Sequence, residues 1–300
     1  MSGTIEVQLQ IVNAFVDDGQ GGNPAGVVLD AERFSREQKQ RIAALAGLSE
    51  TAFISQSDCA DFKLEFFTPN RQIAHCGHAT IASFSYLRQI GRISGAQSSK
   101  ETIDGRREIF LDGEMAFMEQ RAPRYTDIGE ASEGVDATMV LASLGLDRSD
   151  LMDGQVPSVV NTGNNFLVIP LKSESSLAKI RPDFDTIESI SEKLDLIGYY
   201  PFSLDTRVPG RQAGARMFAP RFGIPEESAT GMAAGPLACI LFDRIKIRTD
   251  GDILIEQGHL MSPPSPSIIH ARLSLSNGRI DKLAAGGKAR LAGTRLIILQ

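Results

Sequence analysis

Two stretches of the chain repeat each other. Phe67-Thr-Pro-Asn-Arg-Gln-Ile73 resembles Phe218-Ala-Pro-Arg-Phe-Gly-Ile224, and each is followed by a short loop, a glycine and an alanine-rich apolar segment. The first segment begins at Gly77-His78-Ala79. The second, once a short insertion is allowed, begins at Gly231-Met232-Ala233-Ala234. Gly22-Asn23-Pro24 ahead of Val27-Val28 is echoed by Gly163-Asn164-Asn165 ahead of Val168-Ile169. Internal similarity of this kind means that each half is one structural unit built on the same plan. A helix that is apolar on nearly all sides has to be buried on all sides, and in a strand-rich half the simplest cover is a sheet wrapped around it. The 300 residues agree with two cores, because a single core stops growing near this size.

The remaining punctuation specifies an α+β composition. Val7 to Phe15 and Gly26 to Leu29 read as strands on either side of the glycine-rich turn Gly19 to Pro24, and Phe62 to Phe67 alternates weakly. Asp104-Gly105, Asp112-Gly113, Asp250-Gly251 and Asn277-Gly278 are hairpin dipeptides, suited to positive φ in two-residue turns. Ser35 with Gln38 forms a capping box that opens a helix ending at Gly47. A second amphipathic helix is expected over Thr186 to Leu196, entered through Asp183 or Asp185, with Ile187, Ile190 and Leu194 on its apolar stripe. The predicted architecture is two pseudo-symmetric domains, each a mostly antiparallel or mixed sheet rolled around a central apolar helix. The first covers 1–121 plus a closing strand at 288–300, and the second covers 122–287.

Composition removes several classes of function. There are 31 Lys and Arg against 37 Asp and Glu, a formal charge of −6, which repels phosphate backbones. Tryptophan is absent, so a stacking platform for single strands is poorly supplied and nucleic acid is not an expected partner. The sequence has neither an apolar run of spanning length nor a signal-like N-terminus, so no membrane association is expected. Cys59, Cys76 and Cys239 are odd in number and scattered, which fits a reducing compartment and places the protein in the cytoplasm. Gly19-Gln-Gly-Gly22 leads toward a strand and is neither a dinucleotide fingerprint nor a phosphate loop. No Gly-x-Ser-x-Gly elbow occurs.

The residues that could carry chemistry gather at three places. Glu50, just after the Gly47 helix stop and before an apolar stretch, is a carboxylate that desolvation could tune for general acid or base work; a solvated loop acid is the ordinary alternative. His75-Cys76-Gly77-His78 puts two imidazoles and a thiol at a helix start, where the dipole lowers a thiol pKa and a histidine can meet a ligand. A packed thiol and a hydrogen-bonded strand histidine are the structural alternatives. His259 and His270 bring no companion Cys/His spacing, so no metal is expected. Glu226 and Glu227 precede the second helix start, where acids are welcome whether or not they react. Across a pseudo-twofold axis, the glycine-led turns at Gly77 and Gly231 would offer unpaired N–H groups to a small carboxylate in an inter-domain cleft; otherwise these glycines serve only as tight strand-to-helix turns.

Asn13-Ala-Phe15, Gly22-Asn-Pro-Ala-Gly-Val27, Leu48-Ser-Glu-Thr-Ala-Phe53, Phe67-Thr-Pro69, Cys76-Gly-His-Ala-Thr80, Arg216-Met-Phe-Ala-Pro220 and Glu226-Glu-Ser-Ala-Thr-Gly231 together resemble the PhzF-like (phenazine biosynthesis) family, from near residue 10 to the closing strand near Ile297. That family is similar to diaminopimelate epimerase in fold. The resemblance implies two α+β domains with the active site between them, no cofactor, and a homodimer. It implies that Glu50 is the acid/base that moves a proton along an unsaturated substrate, with His78 and Glu227 as its partners. Asn23, Gly77, Thr230, Gly231 and Met232 are the expected substrate-binding positions. Where PhzF has aspartate, proline and serine, this chain has Glu227, Ser228 and Met232. Against the two-thiol epimerase, Cys76 matches one thiol position and Thr230 occupies the other, and threonine is far too weak an acid to replace a thiolate.

The expected function is therefore a cofactor-independent isomerase acting on a small anionic metabolite, with Glu50, His78, Glu227 and Cys76 as catalytic candidates. The alternatives are a one-thiol epimerase or dehydratase using Cys76, and a non-catalytic binding or scaffold protein that keeps the fold.

Overall fold

The computed structural model of the chain describes residues 5–128 and 134–299. Two compact units emerge, Met1–Glu119 with Gly286–Gln300, and Gln120–Ala285. Gln300, at the end of the expected closing strand, lies outside the described residues. The first unit contains β1 (Ile5–Ala14), β2 (Asn23–Val28), α1 (Arg36–Ala46), β3 (Thr51–Ser55), β4 (Phe62–Phe67), β5 (Gln72–Ile73), α2 (Gly77–Gln89), β6 (Gln97–Thr102), β7 (Gly105–Asp112) and β8 (Met115–Arg121), whose last two residues belong to the second. The second contains β9 (Arg124–Asp127), α3 (Ala137–Ala142), β10 (Ser158–Asn161), β11 (Asn165–Pro170), α4 (Glu174–Lys179), α5 (Phe184–Lys193), β12 (Gly198–Ser203), β13 (Ala213–Ala215), α6 (Gly231–Asp243), β14 (Ile253–Gln257) and β15 (Ser267–Ser276). The long strand β16 (Arg279–Leu299) starts in the second unit and finishes in the first.

Strand pairing repeats the plan that the sequence motifs repeat. In the first unit β1/β2 is antiparallel, β2/β3 parallel, β3/β4 antiparallel, β4/β6 parallel and β6/β7 antiparallel. In the second, β10/β11, β11/β12, β12/β13, β13/β14 and β14/β15 follow the same alternation. The Phe67 motif closes by pairing Phe66 with Ile73 and Phe67 with Gln72; its counterpart closes by a bridge from Ala219 to Ile224.

In the first unit the sheet closes on itself, because β16 lies beside β8 and also pairs with β1 from Ile5↔Leu299 to Ala14↔Ala289. Such closure removes exposed strand edges. Every residue of α2 from Gly77 to Leu87 is buried, the outcome expected of a helix without a polar face. The fully buried Ile81, Phe84 and Leu87 each stabilise the unit by about 1.5–3 kcal/mol. On another face of this sheet, α1 lays Ile42, Ala43 and Ala46 against Val7, Leu9, Phe53, Phe67 and the Ile297 and Leu299 of β16. Ser35 and Gln38 make the expected reciprocal capping box, and Gly47 ends α1 at φ 62°, a conformation that costs glycine nothing.

In the second unit α6 is buried from Ala233 to Leu241. A separate core joins α3, α4 and α5 to Leu167, Ile169, Tyr199 and Phe218. A Cβ on Gly235 of α6 would come within 2.3 Å of Gln120 Oε1, so glycine is what lets Gln120 reach the helix. Two expectations are corrected. Helix α5 begins at Phe184, before the expected Thr186, because Asp183 caps it by accepting from the Thr186 N–H. Asp250-Gly251 joins no hairpin; it lies in the exit from α6, with β14 beginning at Ile253 and no strand between them. None of the described helices is long and apolar enough to cross a membrane.

Candidate active site

In the first unit the chain brings together the acid, imidazole and thiol that the sequence singled out. Glu50 sits directly before β3, and its carbonyl accepts a hydrogen bond from the Gly26 N–H of β2 at 2.9 Å, which fixes the backbone that carries the carboxylate. Cys76 is the N-cap of α2, and Gly77 and His78 are its first helical residues. His78 Nε2 lies 3.3 Å from Glu50 Oε2, and His78 Nδ1 lies 3.7 Å from Cys76 Sγ. One edge of the imidazole therefore faces the acid and the other faces the thiol. Glu50 is 6% exposed, His78 4% and Cys76 5%, so all three meet in a largely dehydrated environment where electrostatic interactions are strong.

Burial pushes the Cys76 thiol pKa up. The neighbouring His78 opposes that shift, and the Glu50 charge adds to it. The dipole at the start of α2 was expected to favour a thiolate; desolvation wins because the sulfur is enclosed. Glu50, Cys76 and His78 have ligand atoms within 4.8 Å of one another and are the group that could jointly approach a metal. Ligands on a tetrahedral zinc stand about 3.5–4 Å apart, and the raised thiol pKa opposes the deprotonated ligand that zinc takes. The set fits a proton-sharing cluster better than a metal cage.

The central helices differ from the peripheral ones in how they begin. Ser35, Asp136, Ser173 and Asp183 each cap a peripheral helix with a side-chain oxygen. Neither Cys76 at α2 nor Thr230 at α6 makes a side-chain cap. First-turn N–H groups lack intrahelical partners, and these two starts spend no capping side chain on them.

The candidates of the second unit form their own network. The Thr230 hydroxyl donates to Glu227 Oε2. Buried Gln257 of β14 donates to the Glu227 carbonyl at 2.7 Å and to Thr230 Oγ1 at 3.2 Å. Its Oε1 accepts from the Thr230 N–H at 3.2 Å and the Tyr200 hydroxyl at 2.8 Å. Gln120 Nε2 donates to the Gly231 carbonyl at 3.0 Å, and the Asn164 amide reaches Met232 Sδ at 3.8 Å. Glu226, the other acid before α6, is held by Arg216 through two hydrogen bonds of 2.8 Å. Asn23 is buried at the start of β2, opposite Ala14.

Sequence reasoning missed two groups beside these turns. Gln257 is one. The other is Lys100 of β6, fully buried at 0% exposure, in a strand, Gln-Ser-Ser-Lys-Glu-Thr, whose polar composition reads as a solvated edge. The inward direction of Lys100 follows from closure of the sheet, which no local pattern announces.

The sequence profile described as "Phenazine biosynthesis-like protein" (PhzC-PhzF) matches residues 12–292. An Escherichia coli K12 relative named "Uncharacterized isomerase YddE" is 30% identical over 288 residues, covering 94% of this chain and 95% of that protein. The Pseudomonas chlororaphis "Trans-2,3-dihydro-3-hydroxyanthranilate isomerase" is 30% identical over 291 residues, with 91% of each chain covered. Among solved structures, a Bacillus anthracis phenazine biosynthesis protein of the PhzF family superimposes with a TM-score of 0.88 at 24% identity, covering 98% of this chain and 100% of that one. That likeness speaks for the fold.

Proposed function

Since the chain belongs to the phenazine biosynthesis-like (PhzC-PhzF) family and is an isomerase, we propose that it relocates a proton on a small carboxylate-bearing metabolite without a cofactor, with Glu50 as the group that removes and redelivers the proton. The observation that carries this reading is the convergence of the Glu50 carboxylate and the His78 imidazole at 3.3 Å beside the uncapped start of α2. A carboxylate in a dry site is a stronger base than in water, and a neighbouring imidazole can hold a substrate oxygen while the proton moves. The uncapped N–H groups and positive dipole end of α2 suit the substrate carboxylate. Asn23, Gly77, Thr230, Gly231 and Met232 are assigned to substrate binding and Glu227 to a supporting role, in a cleft between the two halves of the chain.

Cys76 is the base of the competing one-thiol mechanism. Its raised pKa favours Glu50, since only the thiolate is the effective base or nucleophile. The test is solvent deuterium incorporation into a panel of small unsaturated and α-substituted acids. Wild-type exchange that falls roughly 10²–10⁴-fold in Glu50→Gln and survives in Cys76→Ala supports the assignment. Exchange that persists in Glu50→Gln removes Glu50 from it.

A further inference from the structure

Lys100 is the one group near this cluster whose burial has no stabilising account. The structure gives it no carboxylate partner among the described residues. Its amino group donates to Thr80 Oγ1 at 2.7 Å, lies 3.5 Å from His75 Nδ1 and 3.7 Å from Met118 Sδ, and stands 5.4 Å from the centre of the Phe66 ring. Burying a lysine charge without a counter-ion is costly, and an apolar side chain of similar volume is commonly neutral or better at such a position. What the amine does provide is a clamp. Thr80 Oγ1, the acceptor of its hydrogen bond, donates in turn to the Cys76 carbonyl at 2.6 Å, and His75 immediately precedes Cys76. The second unit makes the parallel arrangement from β14 with Gln257, which grips the start of α6 at Thr230. One copy therefore uses a neutral amide where the other uses an amine.

We propose that Lys100 is the positioning residue of the acid–imidazole–thiol cluster: through Thr80 and His75 it clamps the Cys76–Thr80 turn and so holds His78 against Glu50. The inference rests on the proposed reading of Glu50 and His78 as the working pair. Burial lowers the Lys100 pKa to about 7; nearby Cys76 and Asp104 oppose the shift and Arg107, its cross-strand partner on β7, adds to it. Burial, Lys100 and Arg107 hold His75 down to about 3, leaving its ring neutral with Nδ1 free to accept. Below about pH 7 the clamp is a charge-assisted donor, and above it the weaker neutral amine remains.

The experiment is histidine imidazole NMR across pH on wild type, Lys100→Met, Thr80→Val and Thr80→Ser, combined with the deuterium-exchange profile of each. In wild type His75 stays neutral to well below pH 5. In Lys100→Met its protonation moves toward the ordinary histidine range, the His78 resonances shift, and exchange at saturating acid drops roughly ten- to hundredfold with little change in the half-saturating concentration. The limb of the wild-type profile near pH 7 disappears. Thr80→Val reproduces the His78 shift and Thr80→Ser restores the wild-type signals, which decides the matter if Lys100→Met does not fold. A folded Lys100→Met or Thr80→Val with unchanged His78 resonances overturns the proposal. Wild type that exchanges none of the acids overturns the proton-transfer reading instead, while the imidazole spectra still decide the clamp.

Discussion

The two central helices start from the same backbone plan and end in different chemistry. At α2, a carboxylate, an imidazole and a thiol crowd together with 3.3 Å and 3.7 Å between neighbours. At α6, Thr230, Glu227, Gln257 and Tyr200 interlock, and the residue that precedes β12 where Glu50 precedes β3 is the apolar Ile197. Duplication thus supplies a frame twice, while titratable groups poised against one another were placed on one copy. A fully bonded polar network rigidifies; a cluster that retains an exchangeable proton between an acid and a base can react.

The largest way to break this contrast is Glu50→Gln, expected to remove roughly 10²–10⁴-fold of exchange activity and leave the melting temperature nearly unchanged. Glu227→Gln, made in the other copy and measured in the same assay, should cost less than Glu50→Gln. Gln257→Leu should lower stability by about 2–3 kcal/mol in denaturant unfolding, since it orphans the buried Thr230 N–H and the Tyr200 hydroxyl. Its counterpart Lys100→Met should leave stability level or raise it near neutral pH. Opposite signs at the two clamps would sharpen the comparison, and equal losses would erase it.

The amine also predicts a dependence on pH. Lys100 has a folded pKa of about 7 against 10.5 for the ordinary side chain, so between those values the unfolded chain binds more protons and stability rises with pH. The slope is at most about 1.4 kcal/mol per pH unit. His75, at about 3 against 6.5, acts in the same direction between pH 3 and 6.5. Chemical denaturation from pH 7 to 10 should lose the Lys100 contribution in Lys100→Met, whereas Gln257→Leu should keep it. The smallest effects belong to the peripheral helices. Ser35→Ala in the first unit and Asp183→Ala in the second should each cost about 1 kcal/mol, measurable as a small fall in denaturation midpoint.

The duplicated frame was legible because its signals are local: Phe-x-Pro before a loop, a glycine at the helix start, an apolar run that no surface could accept. The Ser35 cap and three of the four glycine turns followed from turn and cap chemistry alone. The Glu50, Cys76 and His78 trio was legible as types and neighbourhoods, since each lies at a junction between elements. Lys100 and Gln257 were not. Both belong to strands whose inner face is decided by which distant strands close the sheet, and β6 contains so few apolar residues that alternation gives no face at all. Asp250-Gly251 misled for a related reason, because a turn dipeptide reports a bend and says nothing of what stands on either side.

Strand β16 imposes an order of assembly. β1 finds its outer partner some 284 residues later, where the Thr294 hydroxyl meets the Gln10 side chain, and until then the first unit's sheet has a missing stave and a bare edge. The second unit, uninterrupted from Gln120 to Ala285, has its whole sequence available earlier during synthesis. A ribosome paused near residue 285 would thus display one finished half beside one still gaping, and the cluster around Glu50 would be sealed from water only when the final strand is threaded home.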